Sequence, residues 1–598
     1  MILLVPDCGG IDYADLRLIR LAEFLGIEYR SIQLEPTSGG WAEYLLRVAP
    51  DGESCFVVNP RVLRAWTGAD AIPESLGAFL AVQYRHLLVH ALGPSWFDIS
   101  ILQSLSRGAF RAIREIREQD KSYVVSDAAG DVCESFAGLT FGPTNSNNDR
   151  VFEWSREEKR ARNLISIGDL PFMSLQESES CKIWFLGSRE VVDLEAPIGE
   201  ETPSRYFSQF VPHAMVLRSV FGHASWHPQV PYASVIIDDP LLQPNYGALN
   251  FEALLALMKR HNFFTTLAFI PYNFKRNSAR TVRLFRENSD RLALCFHGND
   301  HMGGEFASTD RELLDRLLCI AQRRMRAHRE LTGLRCDRVM VFPQGKFSAE
   351  AMAAIQAHNF DGAVNTTPHP MREPNCLTLA EVVQPAVLRY GDCPLFLRKP
   401  SRQTLSEDVA FNAFFGRPTL IVEHHDVFED PEQLVQVAAR INKTVPEVRW
   451  SSVGVALKNS ILRKQAPDGV KCIRAYSRTI EITGEPEKEG RYMVEWETST
   501  PFPGRQVFMD GVPIPFPDVE SGAVRVPVDV PAGCTRTLSM AWNAVPDKTQ
   551  SLGLRHNAKA FVRRRLSEIR DNYLSKNPRI LATARSMHQH WTHSQPPN

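Results

Sequence analysis

Between residues 225 and 455, short apolar runs alternate with helical patterns, and few folds accept that order. The runs are "YASVIIDDP", "FTTLAFIP", "RLALCFHG", "RVMVFPQG", "FDGAVNT", "PLFLRKP" and "TLIVEHH"; helical patterns such as 251–261, 311–332 and 349–358 separate several of them. Strands that are apolar along their whole length are covered on both faces, and helical crossovers between them enforce parallel pairing. The region is therefore expected to form a closed or nearly closed (β/α) barrel, whose functional side chains sit at the C-terminal strand ends.

A chain of 598 residues is too long for one such unit. Residues 1–215 hold "ILLVP", "SIQL", "CFVVNP", "HLLVHAL" and "SYVVSD", with "ISIG" and "KIWFLGS" as late strands. They are expected to form a doubly wound α/β domain, Rossmann-like or flavodoxin-like, with a parallel sheet. Its first turn, "DCGG", lacks the G-x-G-x-x-G spacing and the Walker lysine, so it reads as a tight turn and Cys8 as an unreactive cysteine. Residues 468–545 change to short alternating runs split by Gly and Pro, the pattern of a β-sandwich accessory domain. Residues 554–598 carry the basic helical pattern "AFVRRRLSEIRDNYL", expected to be a docked helix with a solvated basic face.

With a net charge of −1, no global field steers the chain to nucleic acid or an anionic membrane. No apolar run approaches the roughly 18 residues of a membrane span. The N-terminus has no basic leader, and the 11 cysteines include no C-x-x-C pair, so a cytoplasmic protein is expected.

The constellation that carries chemistry starts in "CFHGNDHMGGEF". His297 and His301 follow a buried-looking strand in a glycine-rich loop, and neutral imidazole is the commonest transition-metal ligand. Upstream, "VIIDDP" ends a strand with adjacent carboxylates, Asp238 and Asp239, which are costly to bury without counter-charge. Two histidines and one aspartate leave a coordination position open for water, while the other aspartate accepts a proton. At other strand ends, "VFPQG" offers backbone N–H groups around Pro343, Gln344 and Gly345 to an oxyanion. "IVEHHD" offers His424 or His425 as the acid for a leaving amine.

These residues resemble the polysaccharide deacetylase family, the NodB-homology or carbohydrate esterase family 4 domain. "IIDDP" and "HGNDH" match its first two motifs in order and approximate spacing. The resemblance implies a distorted (β/α) barrel, with Asp238 as catalytic base and Asp239, His297 and His301 as metal ligands. It also implies a metal-dependent hydrolase of acetylated sugars, acting on C–N bonds that are not peptide bonds. The sequence departs from the family at Pro240, where glycine is common, and in the third motif, where Val341 replaces the arginine that orients the base and Gln344 replaces an aromatic. Arg338 and Arg398 are the candidates for that vacant role.

The expectation is a deacetylase-like hydrolase that uses zinc or another divalent ion on an N-acetyl or O-acetyl sugar, with no nucleic-acid partner and no transmembrane segment. The alternatives are a catalytically impaired carbohydrate-binding barrel, a metal-dependent amidase acting on a non-sugar amide, and, by fold analogy alone, a glycosyltransferase using the N-terminal domain.

Overall fold

The computed structural model describes residues 1–6, 10–34, 54–67, 74–116, 121–155, 161–391, 393–498, 505–515, 518–520, 522–542 and 552–574. Cys8, most of the "DCGG" turn and the tail beyond 574 lie outside the described residues.

The central region is a closed barrel. Its strands are β1 (Tyr232–Asp238), β2 (Thr265–Phe269), β3 (Leu292–His297), β4 (Cys336–Val341), β5 (Gly362–Asn365), β6 (Leu395–Pro400) and β7 (Thr419–His424). All neighbours pair in parallel, and β1 pairs with both β2 and β7. Alternation along each strand then divides the side chains. Ile236, Ala268, Cys295, Val339, Val341, Val364, Phe396 and Leu420 fill the interior. Their neighbours in sequence, such as Val235, Leu267, Leu294, Ala363, Leu395 and Ile421, face outwards and join the core beneath the helices. The helices begin and end where local chemistry dictates. Asp310 caps Arg311–Thr332 by accepting from the Glu312 and Leu313 N–H groups, and Gly333, at φ 73°, ends it.

The N-terminal sheet departs from the expected parallel sheet. Arg30–Leu34, Ile2–Pro6, Cys55–Val58, His86–Val89 and Lys182–Leu186 run parallel. Beyond them, Leu170–Glu177, Arg162–Ile167, Tyr123–Val125 and Thr140–Phe141 are antiparallel. The cause is connection length: the turns at 168–169 and 178–181 are too short for a crossover and force hairpins. Nor does the core stop near residue 215. Phe136, Phe141 and Phe210 pack on Phe411, Phe414 and Phe415 of the barrel helix Ser406–Phe415, with Phe210 stacked on Phe415 at 4.8 Å.

The C-terminal β-region has two facing sheets around Ile473, Ile480, Val494, Trp496, Val526 and Leu538. It begins at Ile461 rather than 468, and its edge is extended by His227–Pro228 from before the barrel. It docks at the N-terminal end of β5, where Asp361 accepts from Thr479 Oγ1 at 2.7 Å and faces Arg478 Nη2 at 3.4 Å. Asp361→Ala leaves Arg478 without its buried counter-charge. It is expected to cost about 3 kcal/mol in urea unfolding, against about 1 kcal/mol for Thr479→Val. Equal, near-zero effects would remove this contact from what holds the sandwich to the barrel.

Candidate metal centre

Inward alternation carries three polar side chains to the C-terminal end of the barrel. Asp238 continues Ile236 on β1, His297 continues Cys295 on β3, and Arg398 continues Phe396 on β6. All three are buried. Arg398 donates to Asp238 through both arms of its fork, Nη1 to Oδ1 at 2.7 Å and Nη2 to Oδ2 at 2.6 Å. Of the two arginine candidates, Arg398 on β6 is the one that reaches Asp238. Arg338, the other candidate, donates instead to the His358 carbonyl at 2.8 Å.

The chain turns at Asp239, whose φ of 81° is left-handed and uncommon for a residue with a side chain. That turn brings the second carboxylate into the mouth beside the first. Asp239 Oδ1 lies 3.2 Å from His301 Nε2 and 3.5 Å from His297 Nε2, and the three donor atoms lie within 4.8 Å of one another. His297 Nδ1 is 3.1 Å from the Val341 carbonyl, which only accepts, so the ring must donate from Nδ1. A neutral His297 therefore presents its Nε2 lone pair to a carboxylate oxygen, and the two repel unless a proton or a cation stands between them. Asp239 Oδ1 is buried and accepts no hydrogen bond of good geometry among the described residues. The donor set of one carboxylate and two imidazoles, oriented by a carbonyl behind one ring, fits a divalent ion of the zinc type.

The loop holding His301 is shaped from within. Glu305, buried, accepts from the N–H groups of Asn299 at 2.9 Å and of Asp300 and His301 at 3.2 Å. Gly298 has φ 61°, and a Cβ there would meet Pro343 Cγ at 2.4 Å, so only glycine fits between the two loops.

The remaining sequence candidates divide. Pro343 has no N–H, and the Gly345 N–H donates to the Phe342 carbonyl at 3.1 Å, which leaves the Gln344 N–H, at a residue with φ 59°. His424 pairs in register with Asp238, continues the inward row of Leu420, and is exposed at the mouth. His425 is buried instead, edge-on to Tyr246 at 5.1 Å, with its Nε2 3.8 Å from Asp571 Oδ1. Glu305, Tyr246, Asp571 and Arg564 were not singled out by the sequence. Glu305 alone carried a signal, as the acidic residue closing "HGNDHMGGE".

The site's charges follow from these contacts. Burial works to raise the Asp238 carboxyl, and Arg398 with His297 outweighs it, holding the group below its ordinary value. Burial likewise opposes ionisation of Asp239, and His297, His301 and Arg564 hold it well below the carboxylate range. Burial pulls the His297 imidazole down, but Asp238 and Asp239 more than offset this, so it holds its proton to a higher pH than usual. His301, buried and only partly compensated by Asp239, is pushed down to about 4 and is neutral at pH 7.

No protein-family model matches the chain, and no curated protein matches it. Solved structures to which it is similar include family 4 carbohydrate esterases and polysaccharide deacetylases. One is a family 4 carbohydrate esterase from Streptomyces lividans in complex with acetate, at 12% identity and TM-score 0.24, covering 37% of this chain and 91% of that one. Another is the peptidoglycan deacetylase PdaC from Bacillus subtilis, at 13% identity and TM-score 0.23, covering 39% and 91%. A third is the Xyl-CE4 domain of a multidomain xylanase from the hindgut metagenome of Trinervitermes trinervoides, at 13% and 0.24, covering 38% and 90%. At these TM-scores the likeness carries no argument.

A divalent ion held by the triad would have to displace the proton that His297 holds to a raised pH. Its affinity is therefore expected to fall as pH drops through that raised value, by about tenfold per pH unit for one proton released. Zn²⁺ or Co²⁺ titrations across a pH series check this; a flat profile would put the ion elsewhere.

Proposed function

We propose that the protein is a metal-dependent hydrolase that removes the acetyl group from an N-acetylated, or O-acetylated, sugar or glycan precursor. One observation carries this reading: a carboxylate locked by an arginine fork stands beside a carboxylate and two imidazoles whose lone pairs converge. Asp239, His297 and His301 would hold the ion, zinc by the chemistry of the set. When bound, the ion supplies Lewis acidity to water and to the acetyl carbonyl.

The chain's own residues then divide the work. Asp238 takes the proton of the attacking water. Arg398 keeps that carboxylate ionised and fixed, and so acts as a positioning residue. The Gln344 N–H donates to the oxygen that gains charge as the carbonyl is attacked. His424, open to the mouth and in register with Asp238, gives a proton to the departing amine. An impaired, binding-only barrel is favoured by the third motif's missing arginine and missing aromatic; the Arg398–Asp238 pair answers the first, and Gln344 still stands in place of the second.

His297→Ala and Asp239→Ala are expected to lose the ion, read by mass spectrometry on purified protein. Asp238→Asn should keep it while acetate release from acetylated sugars falls about a thousandfold. His424→Gln should keep the ion too and lower release about a hundredfold. Full metal in the His297 variant, or full acetate release in the Asp238 variant, would overturn the assignment.

A further inference from the structure

The helix Leu554–Ile569 and the turn Arg570–Leu574 lie across the barrel mouth. His556 Nε2 meets Asp300 Oδ2 at 2.9 Å, inside the loop that carries both metal-site histidines. Glu568 pairs with Arg276, Tyr246 donates to Asp571 Oδ2 at 2.9 Å, and the Gly247 N–H donates to Asn572 Oδ1 at 2.9 Å. The segment therefore runs from the β3 loop to the loop after β1 and the end of β7.

Its polarity is the reverse of an ordinary docked helix, which buries an apolar stripe. Phe561, Val562, Leu566 and Ile569 are each about half exposed or more. The face against the barrel carries His556, Arg563, Arg564, Glu568 and Asp571. A helix held this way contributes polar groups to the mouth rather than apolar area to a core.

Arg564 is the group that stands out. It is 6% exposed, its Nε has no hydrogen-bond partner among the described residues, and its Nη2 donates only weakly to Ser567 Oγ at 3.3 Å. Among the described residues no carboxylate lies within salt-bridge distance of Arg564 or of Arg563. The guanidinium of Arg563 sits 3.1 Å from where a Cβ on Gly303 would stand. The charge of Arg564 is felt at Asp239, His301 and Tyr246. Asp239 is the carboxylate that feels this charge, without forming an ion pair with it; an ion on Asp239 would take up that carboxylate and leave the buried guanidinium to be balanced by a ligand's charge.

The charge count of the mouth points the same way. Asp238 cancels Arg398, Glu568 cancels Arg276, and Asp571 cancels Arg570. Asp300 cancels Arg324, and Glu305, held by three backbone N–H groups, offsets part of the charge of Arg563. With a divalent ion against Asp239, the mouth carries an excess of positive charge that a neutral acetylated sugar would not offset.

We propose that this helix completes the binding site, and that Arg564, with Arg563 beside it, holds an anionic group of the substrate. The substrate is then an acidic sugar carrying a carboxylate or a phosphate, either of which matches the guanidinium fork. The inference rests on the metal-hydrolase reading for its charge count, but its test is separate.

Full-length, Zn²⁺-loaded protein is titrated with methyl β-D-glucuronide, glucose 6-phosphate and methyl β-D-glucoside by calorimetry, with metal content measured on the same samples. The carboxylate or the phosphate ligand is expected to bind at least about tenfold more tightly than the neutral glucoside. Whichever does so identifies the source of the anion. Arg564→Gln is expected to abolish the preference, and Arg564→Lys to keep part of it. Equal binding of all three, no binding of any, or a preference that survives in Arg564→Gln would each overturn the proposal. The comparison within the wild type needs no variant to fold. Failure to load metal, by contrast, would sink the hydrolase reading while leaving the anion preference to be read on the metal-free chain.

Discussion

The strand Tyr232–Asp238 pairs on one side with Thr265–Phe269 and on the other with Thr419–His424, and that double pairing closes the barrel. Closure fixes which side chains face inwards. Once Ile236, Cys295, Phe396 and Leu420 are committed to the interior, Asp238, His297, Arg398 and His424 must converge at its C-terminal end, although Asp238 and Arg398 are 160 residues apart. A slip of one residue in any of these strands would turn its polar terminus out among the helices, where a charge has no partner. The apolar rows thus hold the site in register, and the site's chemistry contributes little to holding the rows.

Asp238 and Asp239 show how one short segment serves two tasks. Both are largely buried, so each needs positive charge, and each obtains it from a different source. Asp238 has a bidentate guanidinium that engages both oxygens and keeps it fixed and ionised. Asp239 is rotated out of strand geometry by its left-handed backbone, a strain of order 1–3 kcal/mol, and meets two imidazoles instead. The raised proton affinity of His297 and the converging lone pairs have the same cause: carboxylate oxygens face the ring nitrogen, and positive charge between them relieves the repulsion.

The sequence made the barrel legible because buried parallel strands are apolar from end to end, and it made the triad legible because strand termini are where such runs stop. The Arg398 partnership was legible only as one of two candidates, Arg338 being the other. Nothing local in "LFLRKP" distinguishes an arginine that faces the barrel axis from one that faces solvent; only the parity of that strand, set by closure, decides it. The antiparallel half of the N-terminal sheet was hidden for a related reason. Apolar runs look alike in either direction, and connection lengths of a few residues, as at 168–169, carried the information instead. The two late histidines were indistinguishable as neighbours in sequence, and one step of strand alternation sends His424 to the mouth and His425 beneath Tyr246 and Asp571.

The docking of the outer parts of the chain separates support from chemistry. The sandwich meets the barrel where strands begin, through Asp361, and the nearby Gly454 N–H is likewise held by Asp337 at the start of β4. Asp238, His297, Arg398 and His424 stand where strands end, at the opposite face. The sandwich contact is therefore far from the mouth along the barrel axis. The segment that does reach the mouth is the terminal helix, which pairs with the β3 loop and with the loop after β1. Its basic pattern gave no hint of this position, since a helix with apolar and charged stripes is expected to bury the apolar one. Here the ordering is inverted because the surface awaiting it is polar: Asp300, Arg276, Tyr246 and the Gly247 N–H present hydrogen-bonding groups that only a polar face satisfies. The barrel mouth selects the face of the helix, and in doing so brings Arg563 beside Gly303 and Arg564 within the electrostatic reach of Asp239.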